Sequence, residues 1–221
     1  MRGTSRPAVI PMGHRALVAY ERPDSLYNVH YSHWGASNLR LKHAITPETP
    51  FGGEYAQESR QNLFTDLRTT EDEGEAAALI ESDDQPGGQV DVDPWAVGVT
   101  LDELLTNELD YHTHEACYIV DESLDVTAFR THWFGLQYEC RTIESSPTHC
   151  NGAIRTVRWY DGEPVGDGFA QGQFDGLKTV VGDMLDRGVY TLSGARDYLE
   201  RQIRSWMRPD DTVFVRTPTK R

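Results

Sequence analysis

Two amphipathic helix patterns near the C-terminus, preceded by a long series of strand patterns, constrain the fold most strongly. Apolar residues recur at helical spacing from Leu177 onwards, which predicts a helix over 175–187 that ends at Gly188. A second helix is predicted to begin with Ser193 as its N-cap and to stop at Pro209. Strands that come first and helices that come last favour an α+β fold over a doubly wound parallel sheet.

The strand patterns predict a mostly antiparallel sheet on which these two helices pack. An N-terminal hairpin is expected, because 14–21 and 27–32 flank the turn sequence Arg22-Pro23-Asp24-Ser25. Asp161-Gly162 is a second hairpin signal, and Thr100 and Glu103 have the spacing of a capping box. Further strands are predicted over 116–121, 126–134, 153–160 and 212–216.

The domain organisation is expected to be simple. Residues 1–11 are predicted to be a disordered extension, and 12–217 a single α+β domain. Residues 71–93 contain nine acidic residues and no basic one, which predicts a flexible, solvated segment. The glycines between Val165 and Gly172 predict a flexible loop, and Ser37 is expected to cap a short helix over 37–45.

The charge balance indicates the environment in which the protein works. The chain carries 35 acidic and 21 basic residues, a net charge of -14, and only three of the basic residues are lysines. At 1 M salt the Debye length is only about 3 Å, so dense surface carboxylates repel one another weakly. A GC-rich genome explains arginine in place of lysine but not the excess of acid, so we interpret the chain as halophilic.

Several function classes have no support in the sequence. It contains no P-loop, no glycine fingerprint for dinucleotides and no nucleophile elbow. Its apolar runs are far shorter than the roughly 20 residues of a membrane helix, and the N-terminus does not resemble a signal peptide. Three cysteines, Cys117, Cys140 and Cys150, are typical of reduced intracellular thiols. We therefore expect a cytoplasmic protein without a membrane span.

His112 and His114 are the leading candidates for metal ligands. On an extended chain an H-x-H pair presents both imidazoles on one face, as in sites for Zn²⁺ or another divalent ion. The competing interpretation, in which these residues form an exposed polar segment just before the strand at 116, is favoured. Our first expectation is therefore that the protein binds no cofactor, and the alternative is that it binds a divalent metal. A third ligand would have to come from His30, His33, His132, His149, Cys150 or a carboxylate.

His30, His33 and Trp34 lie at the end of a predicted strand. In a regular strand the two histidines point to opposite faces, unless the strand bends near Gly35. Trp34 is interpreted as a ring that closes the core. The His-Trp pair recurs at Trp133, and we expect both tryptophans to lie at the rim of any site, each with a histidine at its polar edge.

Basic residues concentrate at the two ends of the chain. Residues 1–43 have a net charge of +4 and 196–221 of +3, whereas 44–195 have -21. Such ends would allow contact with nucleic acid. Molar salt weakens phosphate contacts, however, so we favour the interpretation that the basic ends neutralise the acidic body.

The N-terminal quarter resembles a known group of proteins. GHRALVAYER (Gly13–Arg22), YNVHYSHWGA (Tyr27–Ala36) and LRLKHAITPETPFGG (Leu39–Gly53) are similar to the opening of a haloarchaeal family of unknown function. The resemblance implies a start near Met12, which agrees with an extension over 1–11. It implies no activity, cofactor or catalytic residue.

These observations lead to three hypotheses about function. The first is a non-catalytic cytoplasmic accessory or protein-interaction domain of a halophile, with association to a virus or mobile element as a further expectation. The second is a metal-dependent hydrolase that uses His112 and His114 with His30 or His33. The third is a nucleic-acid-associated factor that uses the basic ends, and it is the least favoured.

Overall fold

The computed structural model describes residues 14–53, 58–81 and 89–218. Seven of the strands in these residues form one sheet, and the other two form a small hairpin. The strands are β1 (Ala16–Glu21), β2 (Tyr27–Ser32), β3 (Pro94–Val99), β4 (Ala116–Val120), β5 (Val126–Trp133), β6 (Gly152–Thr156), β7 (Arg158–Tyr160), β8 (Glu163–Val165) and β9 (Val213–Arg216).

The large sheet has the strand order β3-β2-β1-β4-β5-β6-β9. Only β1 and β4 run parallel, and every other neighbouring pair is antiparallel. The expected mostly antiparallel sheet and the N-terminal β1-β2 hairpin are therefore confirmed. Because β4 joins β1 in parallel, the first and second halves of the chain meet in the centre of the sheet.

The small hairpin consists of β7 and β8, joined at Asp161-Gly162 as predicted. Both turn residues have positive φ values, 49° and 77°, as a tight two-residue hairpin turn requires. The single strand expected over 153–160 is in fact divided at Val157, which lies between β6 and β7 and donates its N–H to the carbonyl of Ala128.

The helices of the described residues lie between the strands and after them. A 3-10 turn covers Ser37–Leu39, and a π-helical turn at Leu104–Glu108 continues α4. The α-helices are α1 (Leu41–Ala44), α2 (Glu58–Leu67), α3 (Glu73–Glu81), α4 (Leu101–Glu103), α5 (Asp167–Asp186) and α6 (Leu192–Ser205).

Helix α5 is longer than predicted, because the glycine-rich stretch before 175 is helical and not a loop. The helix begins after Gly166, which takes the left-handed φ of 72°, and Gly168 and Gly172 lie in its first turns. Asp167, its first residue, is buried against the sheet. A tertiary contact thus overrides the weak helix propensity of glycine here.

The predicted caps have mixed outcomes. The capping box is confirmed, since the Thr100 hydroxyl accepts from the Glu103 N–H and the Glu103 carboxylate accepts from the Thr100 N–H. Ser37 makes no capping bond, and the short helix there is interrupted by Asn38 at φ 52°. Ser193 lies within α6, which Thr191 caps instead by accepting from the Gly194 N–H at 3.1 Å.

Each face of the large sheet has its own apolar core. On one face, α1, α2 and α3 cover the side chains of Val18 and Tyr118, and α5 and α6 cover Ala153 beside them. On the other face, the π-helical turn packs Leu104 and Leu105 against Leu17 and Phe129. The two C-terminal helices therefore lie on the sheet, on the face that also carries Arg130 and His132 of β5.

Part of the acidic segment 71–93, predicted to be flexible, has regular structure. Residues 73–81 form α3, whose Ala76 is completely buried, and Val90 and Val92 are buried beyond it. Residues 82–88 and the predicted extension 1–11 lie outside the described residues. Among the helices that are described, none is both long and apolar enough to cross a membrane.

Candidate functional site

A cavity of about 230 Å³ opens at one end of the large sheet, where β4 begins and β5 ends and where α5 passes over the strands. The loop before β4, the last residues of β5 and one face of α5 each contribute a wall. The lining residues are Tyr111, His112, His114, Glu115, Arg130, Thr131, His132, Trp133, Gln171, Phe174, Asp175 and Lys178.

Simple periodicities bring these side chains together. Along β5 the residues alternate, so Arg130 and His132 face α5 while Thr131 and Trp133 face the other way. Helix α5 contributes Gln171, Phe174, Asp175 and Lys178, which are spaced i, i+3, i+4 and i+7 and therefore share one face. The sequence contains both patterns, but the two sets of side chains come together only because α5 packs across the end of β5.

Trp133 ends β5 and turns its ring towards the rim of the cavity. Its indole N–H donates to the carbonyl of Pro147 at 2.8 Å. The ring covers Gly135 so closely that a Cβ there would lie 2.0 Å from a ring carbon, which makes glycine necessary at this position. The ammonium of Lys178 lies 4.9 Å from the ring centroid, in a cation–π arrangement.

Two buried cations in the wall of the cavity form ion pairs. Arg130 Nη2 is 2.7 Å from Asp167 Oδ2, and Lys178 Nζ is 2.9 Å from Glu139 Oε1. A third buried cation, Arg155, lies beside Arg130 as its register partner on β6. Both cations that line the cavity are thus neutralised by carboxylates of the same chain, and the carboxylate of Asp175 lies on the exposed side.

His132 is the most buried histidine of the cavity, with 2% of its surface exposed. Its ring contacts Phe174 edge-on, and its Nε2 atom has no hydrogen-bond partner in the described part of the chain. Burial, and then the positive charges of Arg155 and Arg130, lower its pKa to about 3. The ring is therefore neutral at pH 7 and leaves one polar atom unsatisfied.

His112 and His114 both line the cavity, but not on the extended chain that the sequence predicted. Asp110 forms a turn in which its carboxylate accepts from the N–H groups of His112 and Thr113, at 2.9 and 2.8 Å. The two rings therefore diverge. His112 packs on Trp133, with ring centroids 4.3 Å apart, while His114 lies between Tyr31 and Trp95.

His114 is buried and uses one nitrogen inside the protein. Its Nδ1 accepts from the N–H of Asp110 at 3.2 Å, so in the neutral ring the proton lies on Nε2. Burial is the main cause that lowers its pKa to about 4, although the charge of Asp110 acts in the opposite direction. His114 thus presents a neutral N–H donor at this end of the sheet.

The other two metal candidates, His30 and His33, lie on different faces of the sheet, as strand alternation predicted. His30 is buried against Tyr20 and Phe51, with Nδ1 2.9 Å from the carbonyl of Asp91. His33 is exposed and lies 3.1 Å from the hydroxyl of Tyr31. Tyr31 also contacts His114, so His33 and His114 share a neighbour while His30 lies behind the sheet.

The predicted set of four ligands is therefore not brought to one point. Within 14–53, 58–81 and 89–218, no three side chains of His, Cys, Asp or Glu are grouped so that they would hold a metal ion. None of the three cysteines, all of which lie in those ranges, forms a disulfide.

Trp34 does not close the core, because half of its surface is exposed. It lies between His33 and His14, with ring centroids 4.9 and 6.2 Å away. His14 in turn is paired with Glu115 of the cavity at 2.9 Å. The prediction of a core-closing ring failed because the chain leaves the sheet at Ser32, so that the next residues lie beyond the strand ladder.

Six of the eight histidines gather at this end of the sheet, which we call the histidine end: His14, His33, His112, His114, His132 and His149. Sequence reasoning had named five of them, but it missed Arg130, Asp167, Gln171 and Lys178. The polar positions on the inner face of α5 were the available signal. They would have stood out if the glycine-rich stretch had been interpreted as helix.

Comparison with known proteins adds one match. A family model described as a family of unknown function (DUF6735) matches residues 12–215 and thus spans the cavity and all of the sheet except Arg216, the last residue of β9. No curated protein matches the chain, and no solved structure does.

Proposed function

The chain belongs to DUF6735, a family of unknown function, and we propose that it is a non-catalytic accessory protein that binds a partner protein through the histidine end of its sheet. Family membership supplies no activity, so the proposal rests on the chemistry of that surface. The partner is a polypeptide, because the surface combines exposed aromatic rings with neutral polar groups.

The observation that carries the proposal is an aromatic rim around the cavity, formed by Trp34, Trp95 and Tyr138. Their side chains are 50%, 55% and 69% exposed. Ring contacts arrange them in two groups: Tyr31 joins Trp95 to the His33–Trp34 pair, and His112 packs on Tyr138. Exposed tryptophan and tyrosine are the residues that most often dominate binding energy in protein interfaces.

The electrostatics of the cavity support binding over acid–base catalysis. General acids and bases work best when their pKa values lie near the working pH. The pKa values of His114 and His132 are instead lowered to about 4 and about 3. Arg130 and Lys178 are occupied by carboxylates of the same chain. These groups are suited to position a bound molecule and poorly suited to transfer protons at neutral pH.

The test compares tagged wild-type protein with the double variant Trp34→Ala/Trp95→Ala in pull-downs from cells of the source organism. Partners are quantified by mass spectrometry, and the strongest is then produced and titrated against both proteins. We expect the double variant to weaken binding at least tenfold. Its Tm should change by less than about 2 °C, because both side chains are half exposed.

The matched control is Phe169→Ala/Val180→Ala, which removes two other exposed apolar side chains, on the outer face of α5. This variant should keep the affinity of the wild type. A partner that tolerates loss of Trp34 and Trp95 but not of Phe169 and Val180 would move the interface to α5 and refute the proposal.

We also propose that the protein is adapted to high salt in the cytoplasm of a halophile. The supporting observation is the charge balance of -14 with 35 acidic residues. At low ionic strength these carboxylates repel one another, and salt screens them. The Tm should therefore rise steadily from 0.1 M to about 2 M KCl, where the Debye length is below about 3 Å. A Tm that is independent of KCl would contradict the proposal.

A further inference from the structure

Carboxylates lie beside the exposed ring of Trp95 on the proposed partner surface. The indole N–H of Trp95 donates to Oε2 of Glu108 at 3.1 Å, so one carboxylate lies at the edge of the ring. Asp91 and Asp93 are exposed on the segment that leads into β3, and the N–H of Asp91 donates to the carbonyl of Tyr31 at 2.8 Å. Among the residues that the structure describes, none of these three carboxylates forms an ion pair.

The negative charges of this surface are only partly compensated by the chain itself. Partial burial is the main cause that raises the pKa of Asp91, and the charge of Asp93 adds to it, while His33 acts in the opposite direction. Arg15, whose charge acts on His114, is a cation at this end of the sheet, and the three carboxylates outnumber it. The surface around Trp95 is therefore acidic as well as aromatic.

The ring of Trp95 is held in place and still open to a ligand. Its centroid lies 6.1 Å from that of Tyr31, and the ring of His114 meets it edge-on at 6.3 Å. More than half of the tryptophan remains exposed. A flat aromatic face with carboxylates at its edge is complementary to a planar cation, because a guanidinium stacks on the ring while its N–H groups donate to the carboxylate.

We propose that the partner protein presents an arginine-bearing segment to this surface, with one guanidinium stacked on Trp95 and paired with Glu108. Further positive charge on the segment faces Asp91 and Asp93. This inference rests on the proposed function and names the chemistry of its partner. Lysine fits less well, since its ammonium is compact and strongly hydrated. At 1 M salt, exposed charges more than about 3 Å apart are largely screened, so a stacked guanidinium in direct contact is the form of recognition that survives there.

The test titrates the full-length protein, labelled with ¹⁵N and kept at constant high KCl, with three capped peptides in which glycine alternates with arginine, lysine or citrulline. The indole N–H signal of Trp95, assigned with Trp95→Phe, reports binding. We expect the arginine peptide to shift this signal saturably, the lysine peptide to bind at least threefold more weakly, and the neutral citrulline peptide at least tenfold more weakly. Equal affinity for arginine and citrulline overturns the proposal, as does the absence of any response to arginine.

Two variants separate a local contact from the effect of net charge. Glu108→Gln keeps an oxygen that accepts from the indole N–H but removes the charge, so it should weaken binding of the arginine peptide at least fivefold. Glu163→Gln removes the same charge from an exposed position on β8 and should leave the affinity within twofold. Equal losses in the two variants would mean that the peptide responds only to the overall charge, and the proposal would be wrong.

Pull-downs with Asp91→Asn/Glu108→Gln distinguish failure of this inference from failure of the proposed function. We expect this double variant to lose the same partner as Trp34→Ala/Trp95→Ala. If only the tryptophan variant loses the partner, the interface stands and its preference for arginine is refuted. If both variants keep the partner, the proposed surface is itself wrong, and the inference about the partner falls with it.

Discussion

Arg130 and Asp167 meet through a single carboxylate oxygen: Nε and Nη2 of the arginine lie 3.0 and 2.7 Å from Oδ2. Both side chains are less than a tenth exposed, and Gln171 donates to the same oxygen at 2.9 Å. The pair joins the end of β5 to the first residue of α5. It therefore fixes where the helix starts and how its inner face meets the cavity.

We expect Asp167→Asn to lower the free energy of unfolding by about 3–5 kcal/mol, because it leaves the buried cation of Arg130 without its partner. Urea unfolding at constant salt measures this change. Glu200→Gln is the control, since it breaks an exposed i,i+4 pair with Arg204 and should cost less than about 1 kcal/mol. Equal losses in the two variants would show that burial adds nothing to the Arg130 pair.

The outer face of α5 carries glycines that nothing in the described residues contacts. A Cβ added at Gly172 or at Gly176 would have no atom within 4 Å. Glycine in a helix interior is less favourable than alanine by about 1 kcal/mol, so each Gly→Ala change should stabilise the protein by roughly 0.5–1 kcal/mol. Thermal and urea unfolding of the single variants and the double variant test this.

Gly182 on the same helix is the matched control. A Cβ there would lie 2.3 Å from the carbonyl oxygen of Glu139. Gly182→Ala should therefore lower the free energy of unfolding by roughly 1–3 kcal/mol, which is typical of an overpacked core. If Gly172→Ala and Gly182→Ala change stability in the same direction, the helix does not pack as described.

Local signals account for the parts of the fold that the sequence predicted. The Arg22–Ser25 turn, the Asp161-Gly162 turn and the Thr100–Glu103 box each act within a few residues, and all three are present. The extra turns of α5 and the cavity beneath them depend on a contact between residues 37 positions apart, Arg130 and Asp167. Periodicity carries no information about such a contact, so glycine content suggested a loop.

The candidate site was partly predictable for the same reason. Strand alternation correctly separated His30 from His33, because that rule is local. The placement of His112 and His114 depends on Asp110, whose carboxylate turns the chain just before them. An Asp two residues before an H-x-H pair is itself a turn signal, which outweighs the assumption of an extended chain.

We expect the protein to contain far less than one equivalent of transition metal when it is purified at high salt without chelator. Nδ1 of His114 is engaged by a backbone N–H, and His30 lies on the opposite face of the sheet. Elemental analysis of the wild type and of His112→Ala measures the content. About one Zn, Mn or Fe per chain that is lost in the variant would restore the metal-enzyme hypothesis.

Acid should destabilise the protein before most of its carboxylates titrate. His132 is neutral when folded, with a pKa lowered to about 3 by burial and by Arg155 and Arg130, whereas an unfolded histidine has a pKa of about 6.5. The contribution of the neutral His132 ring to the free energy of unfolding is therefore complete above about pH 6.5, and it is lost as the pH falls towards the pKa of the folded state. Each such histidine contributes a slope of up to about 1.4 kcal/mol per pH unit.

His132→Gln removes one of these groups, so its free energy of unfolding should fall less steeply than that of the wild type between pH 6.5 and about pH 5. The difference in slope between the two proteins should approach about 1.4 kcal/mol per pH unit. Titration of the carboxylates does not affect this difference, because both proteins carry the same set. His43→Gln, which removes an imidazole at an exposed position, is the matched control for the substitution itself. Identical slopes in wild type and His132→Gln would mean that the folded protein holds His132 in its charged form, and the arginines beside it would then need a buried counter-ion.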